Sequence, residues 1–356
     1  MLWGYSLAFG AGGDFIGNFD FIGFRDVSAE GTDGAISPML FAIFQMMFAI
    51  ITPALVTGAF AERFKFTTYI VFLFIWVTVV YVPVTHWVWA PDGWIAGIGA
   101  LDFAGGIVVH ASAGIAAIVA ARMVGSRRQI SRGVEPHNVP YVLLGTGLLW
   151  FGWFGFNAGS GLLADSVAVT AFLVTNTSAA VAGLVWMVLE FQQTGRTSGV
   201  GFATGAIAGL ASITPAAGFV GPMGAFAIGI VGSIAAYSAV KLMAKTRIDD
   251  ALEVFAVHGV GGIWGSIATG IFAVQIMDGD GVFQNVGLIN GETGLLWANF
   301  RAVAAVAAYS GVLTYVILKI LDVIPGLGLR VEGADEDLGL DITLHGERGY
   351  VADGAD

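Results

Sequence analysis

Charge-free apolar stretches long enough to cross a bilayer recur from one end of this chain to the other, and they restrict its fold more than any other feature. A spanning helix needs about 20 mainly apolar residues. Suitable stretches run Ser37–Ala61, Phe66–Pro91, Phe103–Ala121, Asn138–Ala164, Ser166–Leu189, Val254–Met277 and Ala302–Leu318. The stretch Thr197–Val240 has room for two spans, divided at Thr214-Pro215 and Gly221-Pro222, where turn chemistry is expected. Nine full spans are therefore expected, with Met1–Phe9 as the end of another. No basic n-region precedes that stub, so no cleavable signal peptide is expected there.

Composition agrees with lipid as part of the solvent. Of the 356 residues 56% are hydrophobic and 12% charged, about half the charged share of a soluble domain. The absence of cysteine excludes disulfides, thiolate metal sites and cysteine nucleophiles. The 52 glycines suit close helix–helix approach, and Gly201-x-x-x-Gly205-x-x-x-Gly209 reads as a packing face. The net charge of −11 comes from loops and tail, through Asp14, Asp20, Asp26, Glu30 and Asp33, then Glu332, Asp335, Glu336 and Asp337.

Basic residues fall in alternate loops: Arg63 and Lys65, Arg122 to Arg132, Arg196, Lys241 to Arg247, and Lys319 onward. The intervening loops are mostly acidic. By the positive-inside rule the basic loops and the C-terminal tail are expected to be cytoplasmic. The expected organisation is a membrane domain over 1–322 and a cytoplasmic tail over 323–356.

Ionisable groups inside such spans are costly, so Asp102, His110 and His258 are candidate functional residues by default. The two histidines share the pattern His-x-x-x-Gly-Ile, one in each half of the chain. Matching positions of two Gly-rich helices fit a fold of two inverted repeats with a site at their interface. Each histidine taken alone is equally well a hydrogen bond between helices. A histidine-only metal site lacks a third ligand beside the pair. Asp102 either attracts a cation or caps the N–H groups at a helix start.

Aromatic residues form the other constellation: Phe44, Phe48, Trp89, Trp150, Trp153, Phe154 and Phe156. Phe44 and Phe48 share a helix face by their four-residue spacing. Packing and interfacial anchoring account for such residues, and cation–π recognition of a small cation is the functional alternative. No nucleophile–base pair or phosphate-binding motif stands in a suitable context. No enzyme activity, cofactor, metal or nucleic-acid partner is expected.

With these residues assembled, the chain resembles the ammonium transporter (Amt/Mep/Rh) family, specifically its Amt branch. The resemblance runs over nearly the whole chain. It is carried by Gly4-Tyr5-Ser6-Leu7-Ala8-Phe9-Gly10, Gly58-Ala59-Phe60-Ala61-Glu62-Arg63, Leu101-Asp102-Phe103-Ala104-Gly105-Gly106 through His110, and Trp153-Phe154-Gly155-Phe156-Asn157-Ala158-Gly159-Ser160. The His258 segment ending Thr269-Gly270-Ile271-Phe272 belongs to the same pattern.

The resemblance implies an all-α polytopic helical bundle of two inverted pseudo-symmetric repeats, the ammonium-transporter fold without its first span and part of the second. It implies a homotrimer in the plasma membrane with one pore per subunit. It places an external ammonium site at Phe48, Trp89 and Ser160, shaped by Asp102. A phenylalanine gate of Phe48 and Phe156, with Phe44, would follow, then His110 and His258 with Trp153 alongside. The tail Gly339-Leu340-Asp341 with His345-Gly346-Glu347 resembles the segment that works with PII signalling proteins. Glu253 stands where the family pattern often has Asp. Two other functions fit the same resemblance, an ammonium sensor acting through PII and a gas channel like the Rh branch.

Overall fold

Several helices begin where a short polar side chain can satisfy the first free N–H groups. Ser37 accepts from Leu40 N–H ahead of Pro38. Asn138 accepts from Tyr141, Asp165 from Val167 and Ala168, and Ser198 from Gly201. Such caps stabilise a helix by about 1 kcal/mol and fix its entry point. In the computed structural model all residues are described except 32–35, 129, 131–134, 275, 278–282, 285–286 and 350–356. Asp33, Arg132, Asp278 and the last seven tail residues therefore lie outside the described residues.

The helices are α1 (Gly4–Phe9), α2 (Pro38–Thr57), α3 (Phe66–Gly97, turning at 90–93), α4 (Gly106–Val124), α5 (Val139–Gly159), α6 (Ser166–Thr194), α7 (Gly199–Ile213), α8 (Pro222–Met243), α9 (Phe255–Phe272), α10 (Gly294–Val323) and α11 (Gly333–Leu338). A two-residue hairpin pairs Ile276 with Gln284 and Met277 with Phe283.

Among the described residues, eight of these helices are long and apolar enough to cross a membrane. The remaining span expected from the sequence corresponds to α7, a shorter apolar helix. It has 15 residues, about 22 Å at the α-helical rise, against a hydrocarbon layer of about 30 Å. Its end turns into the 214–220 segment, whose Pro215 carbonyl accepts from Phe103. Two other boundaries move for local reasons. α4 starts at Gly106 because Asp102 collects the first N–H groups, and α10 starts eight residues before Ala302, carrying Arg301 inside the helix with its Nε on Trp297 O.

Small residues set the packing. A Cβ on Gly205 would lie 2.4 Å from Trp186 Cβ, and one on Gly209 would lie 2.5 Å from Ala182 Cβ. The glycine face of α7 thus lies against α6, as the sequence pattern predicts. α4 packs between α9 and α10, which places both histidine-bearing helices at the centre.

The repeat is visible in local geometry. His110 lies in the π-helical turn Gly106–Ala111 that runs into the 13-residue α-helix Ser112–Val124. His258 lies in the π-helical turn Phe255–Gly259 that runs into the 13-residue α-helix Val260–Phe272. α4 starts at the end of the bundle carrying the acidic loops, whereas α9 starts at the end carrying Arg63 and Arg127. The two halves are therefore inverted.

The basic end is held by a buried arginine. Arg63 is 0% exposed and donates to the carbonyls of Ala59, Ala61, Gly125 and Asp249. Arg127 pairs with Asp249 at 2.8 Å. Burial opposes ionisation of Asp249, yet hydrogen bonds from Arg127 and the charges of Arg127 and Arg63 hold its carboxyl below the ordinary value. The tail docks on the same end, where Arg330 binds Glu336 and the carbonyls of Val124 and Ser126.

Candidate functional site

The site begins with Asp102. Its carboxylate accepts four backbone N–H groups, those of Gly105 and Gly106 on one oxygen and Ile107 and Val108 on the other. The positive φ of Gly105 at +114° lets the chain fold back over that carboxylate. Of the two readings left open by the sequence, the structure brings out the helix cap. Asp102 also acts through its backbone: its carbonyl accepts the indole N–H of Trp89 at 2.8 Å.

Trp89 stands over an outer cavity of about 160 Å³ that is also lined by Phe44, Phe48 and Ser160. Phe48 meets Trp89 edge-on, with centroids 5.4 Å apart, and Phe44 meets Phe48 at 4.9 Å. Ser160 donates its hydroxyl proton to Phe156 O, which leaves its lone pairs as acceptors. Gln45, Phe9, Phe41 and Phe103 line the same cavity and were missed by the sequence reading. For Phe41 and Gln45 a signal existed, since 41, 44, 45 and 48 form one helical stripe.

Beneath the cavity Phe48 and Phe156 lie with ring centroids 4.5 Å apart and planes inclined by 36°. Phe48 is 1% exposed, so the floor of the outer cavity is apolar and closely packed. His110 follows, 6.1 Å from Phe156 and 5.4 Å from Trp153, whose ring lies nearly parallel. Thr214 fixes Trp153 by accepting its indole N–H at 2.9 Å. In sequence Thr214 carries only a turn signal, beside Pro215.

The two histidines meet. His110 Nδ1 and His258 Nδ1 are 3.2 Å apart, with rings inclined by 22°. A neutral pair sharing that bond has one Nδ1–H donor and one Nδ1 acceptor. The two outward Nε2 atoms are then one lone pair and one N–H. His110 Nε2 is buried without a protein partner among the described residues. The approach depends on glycine, because a Cβ on Gly114 would lie 2.2 Å from Gly259 Cα.

A separate cavity of about 290 Å³ lies at the basic end, lined by Arg127, Asp249, Asp250 and Glu253 among others. Asp250 is the inverted counterpart of Asp102 and was missed in the sequence. Each stands eight residues before its histidine, a spacing that was available as a signal. Asp250 accepts Phe255 N–H at 2.7 Å, while its other oxygen has no protein partner among the described residues. Burial pushes the Asp250 carboxyl up despite the N–H groups of Phe255 and Val254. Glu253 is raised by burial and then by Asp250.

Two aromatic candidates lie elsewhere. Trp150 packs against Phe202 and Phe154 stacks on Phe172 at 3.9 Å. Among the described residues no group of three potential ligands could hold a metal ion.

The model of the Ammonium Transporter Family matches residues 1–350. The chain belongs to this family. An ammonium transporter of Bacillus subtilis is 44% identical over 353 residues, covering 98% of this chain and 86% of that protein. The crystal structure of Saccharomyces cerevisiae Mep2 superposes with a TM-score of 0.88 at 40% identity, over 93% of this chain and 76% of that one. A structure described as a sensor Amt protein gives a TM-score of 0.85 at 34% identity, over 95% and 84%. The fold of this family member is thus the ammonium-transporter fold, and the protein is a multi-pass membrane protein.

Proposed function

We propose that this protein carries ammonium across the plasma membrane, with its basic loops and tail in the cytoplasm. The observation that carries this reading is the imidazole pair, bonded at 3.2 Å directly beneath the Phe48–Phe156 constriction. The names of the relatives supply the substrate. Ammonium and potassium are similar in size, so aromatic faces alone separate them poorly. Only ammonium donates directional hydrogen bonds and can give up a proton.

In this reading Trp89, Phe48 and the Ser160 hydroxyl receive the cation from outside through cation–π contact and one accepted N–H. The stacked phenylalanines penalise any bare cation, because nothing there replaces its water. The proton is lost near the gate and ammonia passes along the Nε2 atoms of His110 and His258. The pair also offers a separate relay for the proton, which makes net transport electrogenic. The membrane domain 1–322 performs this alone, and the tail 323–356 serves a PII protein. A homotrimer is supported by α5, an apolar helix of which only 6% of the spanning window is buried within one subunit.

The direct test is His110→Ala in proteoliposomes, with electrical recording of ammonium and potassium pulses. The expected result is loss of ammonium selectivity over potassium by a factor of ten or more, on the scale of about 1.4 kcal/mol per tenfold. Unchanged selectivity would count against the pair as the selecting element. A second reading, a sensor with little flux, is favoured by the likeness to the sensor Amt structure. Deleting 323–356 separates the two, since a transporter keeps its flux and a sensor loses its output.

A further inference from the structure

Asn299 is a buried amide outside the aromatic cavity and the histidine pair. It lies on α10 and is 0% exposed. Its Oδ1 accepts Leu101 N–H at 2.8 Å, and its Nδ2 donates to Leu101 O at 3.1 Å. One side chain thus grips both polar groups of a single residue, which fixes orientation as well as distance. The second Nδ2 proton goes to Ser266 O at 2.7 Å. Ser266 is on α9, eight residues beyond His258.

We propose that Asn299 is a positioning residue for the outer ammonium site, orienting Trp89 through the backbone of Leu101 and Asp102. The inference rests on the reading of the aromatic cavity as the cation site. The path is short: hydrogen bonds to Leu101, one residue of backbone, and a hydrogen bond to Trp89. Asn299 clamps Leu101; the next carbonyl, that of Asp102, holds the Trp89 indole N–H at 2.8 Å. That bond sets the edge of the indole, and so the angle of 83° at which it meets Phe48. Rotating the Leu101–Asp102 peptide would turn the tryptophan face away from the cavity. It would also misalign the Asp102 carboxylate with its four N–H donors.

Polar placement argues the same way. A fully buried amide in an apolar bundle is destabilising if any partner is lost. An apolar residue of similar volume would serve helix packing as well. What an apolar residue cannot do is hold a peptide plane.

The test uses the full chain reconstituted as wild type, Asn299→Leu, Asn299→Asp, Trp89→Phe and the Asn299→Asp/Trp89→Phe double variant. Asn299→Asp keeps the shape and the Oδ1 acceptor and replaces two N–H donors by at most one O–H. Initial ammonium current is measured against concentration and normalised to folded protein. Asn299→Asp should raise the half-saturating concentration about five- to tenfold with less change in maximal rate, the scale of one or two lost buried hydrogen bonds. In the Trp89→Phe background it should add little, because the link it acts through is already cut. A fall in maximal rate with unchanged half-saturation overturns the proposal, as do effects that simply multiply. If Asn299→Leu does not fold, Asn299→Asp carries the test. A wild type without saturable ammonium current defeats the transport reading instead. Positioning is then read from deuterium exchange of the Trp89 indole N–H, which should speed up in Asn299→Asp; unchanged exchange refutes it.

Discussion

The outer and inner approaches to the histidine pair are built from the same parts and finished differently. Asp102 and Asp250 occupy equivalent places in the inverted halves, each at the head of a π-helical turn bearing a histidine. Asp102 is 7% exposed and accepts four N–H groups. Asp250 accepts Phe255 N–H and leaves one oxygen without a protein partner among the described residues. The outer aspartate is saturated by backbone and reaches the cavity only through its carbonyl. The inner aspartate keeps one buried oxygen without a protein partner among the described residues. A pseudo-symmetric fold can thus finish its two ends differently, because side-chain satisfaction is decided locally.

The sharpest way to break this comparison is to remove both carboxylates in turn. Asp102→Ala orphans four buried donors at about 1–3 kcal/mol each, enough to consume most of a domain's stability. Folded yield and flux should both disappear. Asp250→Ala removes fewer partners and should cost about 1–3 kcal/mol while flux persists at a reduced rate. Thermal melting of solubilised protein measures the difference, and equal losses would dissolve the asymmetry.

The glycine contact at the crossing of α4 and α9 is unequal as well. A Cβ on Gly114 meets Gly259 Cα at 2.2 Å, whereas one on Gly259 meets the Phe255 ring at 3.0 Å and Gly114 Cα at 3.2 Å. Backbone cannot yield as a ring can. Gly114→Ala should cost about 3 kcal/mol, part the histidines and abolish selectivity, with Gly259→Ala milder by about 1–2 kcal/mol. Identical melting points for the two variants would show that the contact relaxes equally from either side.

The smallest effect concerns pH at the inner end. The Asp249 carboxyl is held below its ordinary value. Its contribution is therefore present above the unfolded carboxylate range, near pH 4, and is lost as pH falls through the lower folded value. Asp249→Asn should destabilise by about 1.5 kcal/mol at pH 7. The gap to wild type should close as the medium is acidified below about pH 4. A gap that persists at pH 3 would mean that Asp249 acts by packing alone.

Much of the site was legible in the sequence because polar residues in apolar helices announce themselves. His110, His258 and Asp102 needed only a count of apolar neighbours, and the four-residue spacing placed Phe44 beside Phe48. Thr214 and Asn299 were not legible. Each is a common polar residue whose importance lies in the backbone group or ring it meets. Only the family resemblance separated Trp153 and Phe156 from Trp150 and Phe154, since helix rotation decides that the latter meet Phe202 and Phe172. The shortness of α7 was hidden by an apolar stretch that continues past its end into turns.

The sequence by itself determined the membrane as solvent, the order of the spans, the alternation of basic and acidic loops, and the pair of histidines in matched motifs. These follow from transfer free energies and local spacing, which each residue carries wherever it lies. Only the tertiary structure decided that residues 148 apart come within 3.2 Å, that Asp102 caps and Asp250 remains partly free, and that one buried amide ties Leu101 to the His258 helix. Those outcomes depend on the rotation, depth and closeness of helices. Small residues and hydrogen bonds distant in sequence set them jointly, and no local pattern records the result.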